Sequence, residues 1–92
     1  MLCCEHIGYG CSFLHNTTFG NKLKNGQYVK PWLGNNVHVG ANVVCIGDVH
    51  IGNNVTIGAG TVLMKSVPDN CVVVGNPARI IKKDGVKCDI VL

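Results

Sequence analysis

The sequence of 92 residues has few aromatic side chains, little charge and no long apolar run. Aromatic residues make up 5% of the chain and charged residues 14%, whereas 12 residues are glycine. A chain this short buries only about 60% of its unfolded surface, so a single layered core is marginal. Abundant glycine with valine and isoleucine is typical of many short strands and tight turns. No apolar run is long enough to span a membrane, so we expect no membrane partner.

The chain also lacks the patterns of metal sites, secretion and nucleic-acid binding. Its six cysteines show no zinc-site spacing, and the first residues have no signal-peptide apolar region. The net charge of +3 is divided between two basic stretches that are too sparse for a nucleic-acid arm. The five carboxylates are scattered and suggest no acid–base pair. We therefore expect a cytoplasmic protein with reduced, mostly buried thiols, no metal and no nucleic-acid partner.

A six-residue repeat runs through the middle of the chain. Read from Leu33, the hexads are LGNNVH, VGANVV, CIGDVH, IGNNVT, IGAGTV and LMKSVP. The first positions are Leu33, Val39, Cys45, Ile51, Ile57 and Leu63, and the fifth positions are Val37, Val43, Val49, Val55, Thr61 and Val67. A strict period over six hexads favours a repeat architecture over an ordinary antiparallel β domain with coincidental alternation.

The residue types at each position fit short strands stacked in successive coils. The first and fifth positions are predicted to point inward. Stacked strands lie about 4.8 Å apart, so these residues would form apolar ladders. Glycine at the second position and asparagine at the fourth are predicted to adopt positive φ angles at the bends. The members are Gly34, Gly40, Gly52 and Gly58, with Asn36, Asn42 and Asn54.

The hexads resemble the left-handed parallel β-helix of hexapeptide-repeat acyltransferases, in which three hexads make one triangular coil. Residues 57–83, IGAGTVLMKSVPDNCVVVGNPARIIKK, are similar without a gap to the end of acetyltransferase β-helices. On these motifs the chain is identified as a serine O-acetyltransferase-like member of that family. The implied fold is all-β: a single-stranded left-handed parallel β-helix of about three triangular coils, with one excursion loop and a short C-terminal tail.

The N-terminal part continues the repeat across an insertion. Ile7, Phe13 and Phe19 stand six apart, and Phe19 to Leu33 is fourteen residues, or six plus eight. An insertion of eight would leave the ladder in register, with Leu33 stacked over Ile7. We predict a β-helix domain that binds acetyl-CoA at residues 1–83, with the loop at about 21–32, and a tail at residues 84–92.

The resemblance also implies where acetyl-CoA would bind. Ala41 and Ala59 match the family's pantetheine contacts, where a small side chain lets the ligand approach the backbone. Met64 and Lys65 match the loop that meets the nucleotide end. The cations Arg79 and Lys82 match residues near the CoA phosphates. The structural alternatives are that the alanines are small because corners require it, and that Lys65, Arg79 and Lys82 are ordinary surface cations.

Histidine is the family's general base, and here the sequence departs from the pattern. The segment that carries the base in serine acetyltransferases has no counterpart, and the later histidine-proline pair is replaced by Lys30-Pro31. His15, in a segment similar to the coil before the family's loop, is the candidate base. It is equally compatible with a histidine that lines the acceptor pocket without acting as base. His38 and His50 are predicted to lie on different faces and to form no zinc site.

The function implied is transfer of acetyl from acetyl-CoA, as co-substrate, to a small-molecule hydroxyl acceptor. Serine is the first choice of acceptor, and a sugar or polysaccharide is the alternative. A second alternative is a truncated trimeric β-helix that binds CoA with little catalytic activity. The resemblance implies a homotrimer as the assembly.

Overall fold

The computed structural model describes residues 3–92, and residues 1 and 2 of the predicted β-helix domain lie outside them. The described residues form an all-β structure, as predicted, without a helix that is long and apolar enough to cross a membrane. The strands are β1 His6–Ile7, β2 Ser12–Phe13, β3 Thr18–Gly20, β4 Lys22–Lys24, β5 Gln27–Val29, β6 Trp32–Leu33, β7 His38–Val39, β8 Val44–Ile46, β9 His50–Ile51, β10 Thr56–Ile57, β11 Val62–Leu63, β12 Cys71–Val74, β13 Arg79–Lys83 and β14 Val86–Val91.

Parallel sheets stack the successive hexads. Within residues 3–92 the parallel pairings join β1-β6-β9, β2-β7-β10-β12 and β3-β8-β11. His38 lies opposite Thr56 and Val44 lies opposite Val62, so partners in adjacent coils are eighteen residues apart. This is the arrangement of a parallel β-helix in which three hexads complete one coil. His38 and His50 lie in different sheets, as predicted.

The insertion leaves the ladder in register. Ile7 pairs with Leu33 in the first of these sheets, which confirms the predicted stacking. The inserted residues form a two-stranded antiparallel hairpin, β4-β5, in which Lys22 lies opposite Val29. Its turn has positive φ at Asn25 and Gly26, the residues that favour this conformation. Because the hairpin leaves and rejoins at one corner, the coils above and below it stay in contact.

The interior consists of the predicted ladders. Every first-position and fifth-position residue from Leu33 to Val67 is at most 3% exposed. Thr61 is the polar exception, and its hydroxyl donates to the Gly58 carbonyl at 2.6 Å. The fourth-position asparagines all have φ near 58°, which confirms that part of the bend prediction.

The prediction that the second-position glycines adopt positive φ angles was wrong. These glycines do not have positive φ. They are needed because the next coil lies directly above them. A Cβ on Gly40 would lie 2.6 Å from the Ala59 nitrogen, and one on Gly52 would lie 2.7 Å from the Asp69 nitrogen. Glycine at this position is therefore required by close approach of backbones between coils.

The C-terminal residues add antiparallel strands to the largest sheet. β12 pairs in parallel with β10 on one side and antiparallel with β13 on the other, and β14 follows β13. Ala78 and Ile80 are buried and join the core. Residues 84–92 thus form a turn and the edge strand β14, whose Val86, Ile90 and Val91 are exposed.

The cysteines are free thiols, of which Cys45 and Cys71 are buried and the others are half-buried. Cys45 pairs with Phe19 and Leu63 in the ladder of β3-β8-β11. Burial, followed by the nearby Cys4 thiol, raises the pKa of Cys45 to about 12. A raised thiol pKa means that the neutral form persists far above neutral pH. Cys45 is therefore a core residue and not a nucleophile.

We expect iodoacetamide at pH 8 to leave Cys45 unmodified in the folded protein and to modify it after denaturation, because only the thiolate reacts. Peptide mass spectrometry of both samples measures this. Rapid alkylation of Cys45 in the folded chain would contradict its placement in the core.

Candidate functional site

His15, Ala41 and Ala59 occupy one corner of the β-helix in three successive coils, which we call the alanine corner. The Asn42 N–H donates to the His15 carbonyl at 3.1 Å, and the Gly60 N–H donates to the Ala41 carbonyl at 2.9 Å. The structure thus brings the predicted base into the same column as the two predicted pantetheine contacts. The His15 side chain is exposed beside them.

A second corner, which we call the asparagine corner, differs from the alanine corner in the hydrogen bonds of its backbone N–H groups. It consists of Tyr9, Asn35, Asn53 and Asp69 in successive coils. Each side-chain oxygen accepts the backbone N–H of the coil before it: Asn35 Oδ1 from Tyr9 at 3.0 Å, Asn53 Oδ1 from Asn35 at 2.8 Å and Asp69 Oδ1 from Asn53 at 2.7 Å. These bonds satisfy the corner amides inside the protein.

Alanine cannot make the equivalent bonds at the alanine corner. The N–H groups of Ala41 and Ala59 have no hydrogen-bond partner within residues 3–92. Backbone amides are strong donors that are normally paired. The alanine corner therefore presents a column of backbone donors, with small side chains, to a ligand outside the coil.

A groove of about 450 Å³ lies next to this corner on the outer face of β2, β7 and β10. Gly40, Gly58, Ala41 and Ala59 line it, so much of its surface is backbone and methyl groups. The lining is largely apolar, and Leu14 contributes an exposed side chain at one end. Such a groove suits an extended chain that alternates methylene groups with amides.

The same groove contains two residues that sequence reasoning did not assign to the site. Ser12 lies opposite His38 in parallel register, and Ser12 Oγ is 2.8 Å from His38 Nδ1. The predicted stacking of Leu33 over Ile7 already implied this contact. That offset of 26 residues also places Ser12 beside His38, although His38 was considered only as a possible metal ligand.

Met64 and Lys65 lie on the other side of the alanine corner. A groove of about 390 Å³ on the outer face of β11 brings them together with Pro77 and Ala78 and with Lys22 of the hairpin. Met64 is 63% exposed. The two grooves flank the alanine corner, because the chain turns at Ala59 and Gly60 between β10 and β11.

Arg79 and Lys82 lie on β13, beyond the C-terminal end of the first groove. Lys82 lies opposite Val72, and Arg79 lies opposite Val74, in the sheet that also contains β10 and β7. The Arg79 guanidinium is 3.5 Å from Asp89 in an exposed ion pair. The predicted cofactor residues therefore lie in three places. Ala41 and Ala59 lie at the alanine corner. Arg79 and Lys82 lie on β13, whereas Met64 and Lys65 follow β11 on the adjacent face.

The described part of the chain has no group of three or more His, Cys, Asp or Glu side chains placed to hold a metal ion. In particular, His6, Trp32 and His50 form a stacked ladder of rings, with centroids 5.0 and 5.3 Å apart, on a face away from the first groove. These two histidines are thus engaged with an indole ring.

Comparison with known proteins places these features in a family. Residues 30–65 match the family described as bacterial transferase hexapeptide (six repeats). The serine acetyltransferase of Synechococcus elongatus is 42% identical over 83 residues, which are 90% of this chain and 34% of that protein. The putative colanic acid biosynthesis acetyltransferase WcaB of Escherichia coli K12 is 52% identical over 66 residues, which are 72% of this chain and 40% of that protein.

The chain is also similar in sequence and fold to a solved structure of a serine acetyltransferase. The serine acetyltransferase of Brucella abortus strain S19 in complex with coenzyme A is 38% identical, with a TM-score of 0.74, and the match covers 84% of this chain and 31% of that one. The chain therefore contains the hexapeptide repeat of the bacterial transferases over residues 30–65 and is similar to serine O-acetyltransferases in sequence and fold. It spans only about a third of the length of the curated serine acetyltransferase that it matches.

Proposed function

We propose that the chain binds acetyl-CoA at the alanine corner and transfers the acetyl group to a hydroxyl acceptor, with serine as the first choice. The observation that carries the proposal is the column of unpaired N–H groups at Ala41 and Ala59 beside an apolar groove. Pantetheine has amide carbonyls that accept such donors and methylene segments that suit the groove. The CoA complex of a 38% identical relative with the same fold supports this ligand.

The cations are disposed to hold the nucleotide end. Arg79 and Lys82 follow the first groove in the same sheet, and Lys65 and Met64 lie across the alanine corner. Ammonium and guanidinium groups are suitable phosphate partners. In this proposal Ala41 and Ala59 hold the pantetheine arm, while Arg79, Lys82 and Lys65 neutralise the phosphates.

His15 is the proposed general base, because it shares the column of Ala41 and Ala59 and its side chain is exposed. Its imidazole would remove the proton of the acceptor hydroxyl as the oxygen attacks the thioester carbonyl. The thiolate of CoA then leaves with the electron pair of the C–S bond.

We also propose the handedness, the number of coils and the assembly that the resemblance implies. The β-helix is left-handed, has about three coils across residues 1–83 and assembles as a homotrimer in which a neighbouring subunit completes the groove. Residues 84–92 are a C-terminal extension of the domain. Sedimentation velocity measures the trimer directly.

A sugar or polysaccharide hydroxyl is the second candidate acceptor. It is favoured by the 52% identity to the putative colanic acid biosynthesis acetyltransferase, which exceeds the 42% identity to the serine acetyltransferase over a shorter match. A CoA-binding β-helix with little activity is the third candidate, since Lys30-Pro31 stands where the family has a histidine-proline pair.

Calorimetry with acetyl-CoA, followed by transfer assays with serine and with simple sugars, tests the proposal. We expect His15→Ala to keep acetyl-CoA binding and to lower kcat/KM by about 100-fold, the usual contribution of a general base. His50→Ala is the matched control, because His50 lies on another sheet and stacks on Trp32.

The possible results separate the candidates. Absence of acetyl-CoA binding would overturn the proposed function. Binding without transfer to any acceptor would favour the third candidate. Unchanged activity of His15→Ala would remove His15 as base and leave the binding proposal intact.

A further inference from the structure

The strand β14 forms one edge of the largest sheet, and its outer side pairs with no other strand of the described residues. Side chains of a strand alternate between its two faces. Cys88 packs against the core, so its second neighbours Val86 and Ile90 lie on the same face as Cys88. Lys87 and Asp89 lie on the opposite face and are exposed. The edge strand therefore has one apolar face and one charged face.

On both faces of β14, side chains are left partly uncovered or unpaired. On the apolar face, Val86 is 67% exposed and Ile90 is 44% exposed. On the charged face, Lys87 lies opposite Lys82 of β13 and forms no ion pair with any described residue. Like charges directly opposite each other on paired strands are destabilising. A carboxylate on the open side of Lys87 would offset this repulsion.

The order of side chains along β14 is complementary to itself when two copies run antiparallel. We consider the register in which Cys88 lies opposite Cys88 of the second copy. Lys87 then lies opposite Asp89 on the charged face. Val86 lies opposite Ile90 on the apolar face. Because the arrangement is two-fold, each of these contacts forms twice, and cross-strand pairs of both kinds stabilise a sheet.

Neighbouring two-fold registers are less favourable. A register centred on Lys87 places two ammonium groups opposite each other, and one centred on Asp89 places two carboxylates opposite each other. Charged side chains on an edge strand normally prevent pairing with other strands. The charges of β14 therefore disfavour most partners, whereas a second copy in the register centred on Cys88 satisfies them.

The ion pair within the chain leaves Asp89 able to make this contact. The Arg79 guanidinium lies 3.5 Å from Oδ1 of Asp89, and both side chains are exposed. A carboxylate has a second oxygen that accepts hydrogen bonds independently. Oδ2 of Asp89 is thus available to the ammonium group of Lys87 from the second copy.

We propose that two copies of this chain associate through β14, antiparallel and centred on Cys88, so that the largest sheet continues from one copy into the other. The interface is two-fold, since each copy contributes the same strand. It is independent of acetyl-CoA binding. It is also distinct from the proposed homotrimer, because pairing at this edge would join two such trimers.

Sedimentation velocity of the full chain over a series of concentrations tests the association. We expect the mass of the wild type to double as the concentration rises. Lys87→Glu and Asp89→Lys each replace two attractive pairs by two repulsive ones, so each should raise the dissociation constant of this step by at least about 10-fold. Lys24→Glu is the matched control, because it reverses an exposed lysine on the hairpin, away from β14. It should associate like the wild type.

A mixture of the two β14 variants tests the register. Lys87→Glu has carboxylates at both charged positions of β14, and Asp89→Lys has ammonium groups at both. Each variant repels its own copies, but the two are complementary to each other. We expect the equimolar mixture to associate about as tightly as the wild type. The double variant Lys87→Glu/Asp89→Lys exchanges the charges and should also associate like the wild type.

These measurements can each overturn the inference without touching the proposed function. A wild-type mass that does not change with concentration excludes association through β14. Single variants that associate like the wild type exclude the contact of Lys87 with Asp89. A mixture that stays apart, although circular dichroism shows both variants folded, excludes the register. If a single variant does not fold, the double variant decides, and its failure to associate while folded contradicts the proposal.

Discussion

Replacing Ala59 by asparagine is expected to weaken acetyl-CoA binding by at least about 10-fold while the protein stays folded. The new side chain would stand where Asn53 stands at the asparagine corner, where it accepts the N–H of Asn35 at 2.8 Å. It would accept the N–H of Ala41 in the same way and remove that donor from the ligand. One lost hydrogen bond of about 1 kcal/mol, with added bulk in the groove, accounts for this magnitude.

Isothermal calorimetry with acetyl-CoA and thermal unfolding together measure the effect. The control is Asn53→Ala at the other corner, which removes the acceptor of the Asn35 N–H. We expect it to lower the free energy of unfolding by about 1 kcal/mol and to leave acetyl-CoA binding unchanged. The alanine corner would be excluded as the binding site if Ala59→Asn bound acetyl-CoA as tightly as the wild type.

Replacing Gly52 by alanine is expected to lower the free energy of unfolding by about 3 kcal/mol, at the upper end of the usual cost of overpacking. Its Cβ would lie 2.7 Å from the Asp69 nitrogen and 3.0 Å from the Asp69 Cα. These are backbone atoms of the next coil, so the coils themselves must separate. For a chain of this length the melting temperature should fall by roughly 12–24 °C.

Gly20→Ala is the matched control for this substitution. Gly20 is also in a parallel strand and without a positive φ, but its nearest neighbour would be Ile46 Cδ1 at 3.8 Å, an ordinary contact. We expect Gly20→Ala to change stability by less than about 1 kcal/mol, since a strand glycine has no packing side chain to lose. Similar melting temperatures for the two variants would show that close approach between coils does not explain Gly52.

Much of the scaffold follows from the period of six. The inward ladder from Leu33 to Val67 and the pairing of Ile7 with Leu33 are consequences of a repeat that stacks like residues. The positive φ of Asn36, Asn42 and Asn54 follows from side chains that tolerate that conformation. The second-position glycines show the limit of this reasoning, since their role depends on the distance between coils and not on their own φ.

The sequence by itself determined the repeat, the core ladders and the segment that resembles the CoA-binding end of a family. A period of six with buried apolar positions fixes these features because each hexad repeats the same local environment. The tertiary structure decided which corner is open to a ligand. From the sequence alone, alanine and asparagine are both acceptable at a corner of the β-helix. The hydrogen bonds that distinguish Ala59 from Asn53 join residues of adjacent coils, which are eighteen residues apart in the chain. The contact of Ser12 with His38 likewise exists only because an insertion of eight residues returns the chain in register.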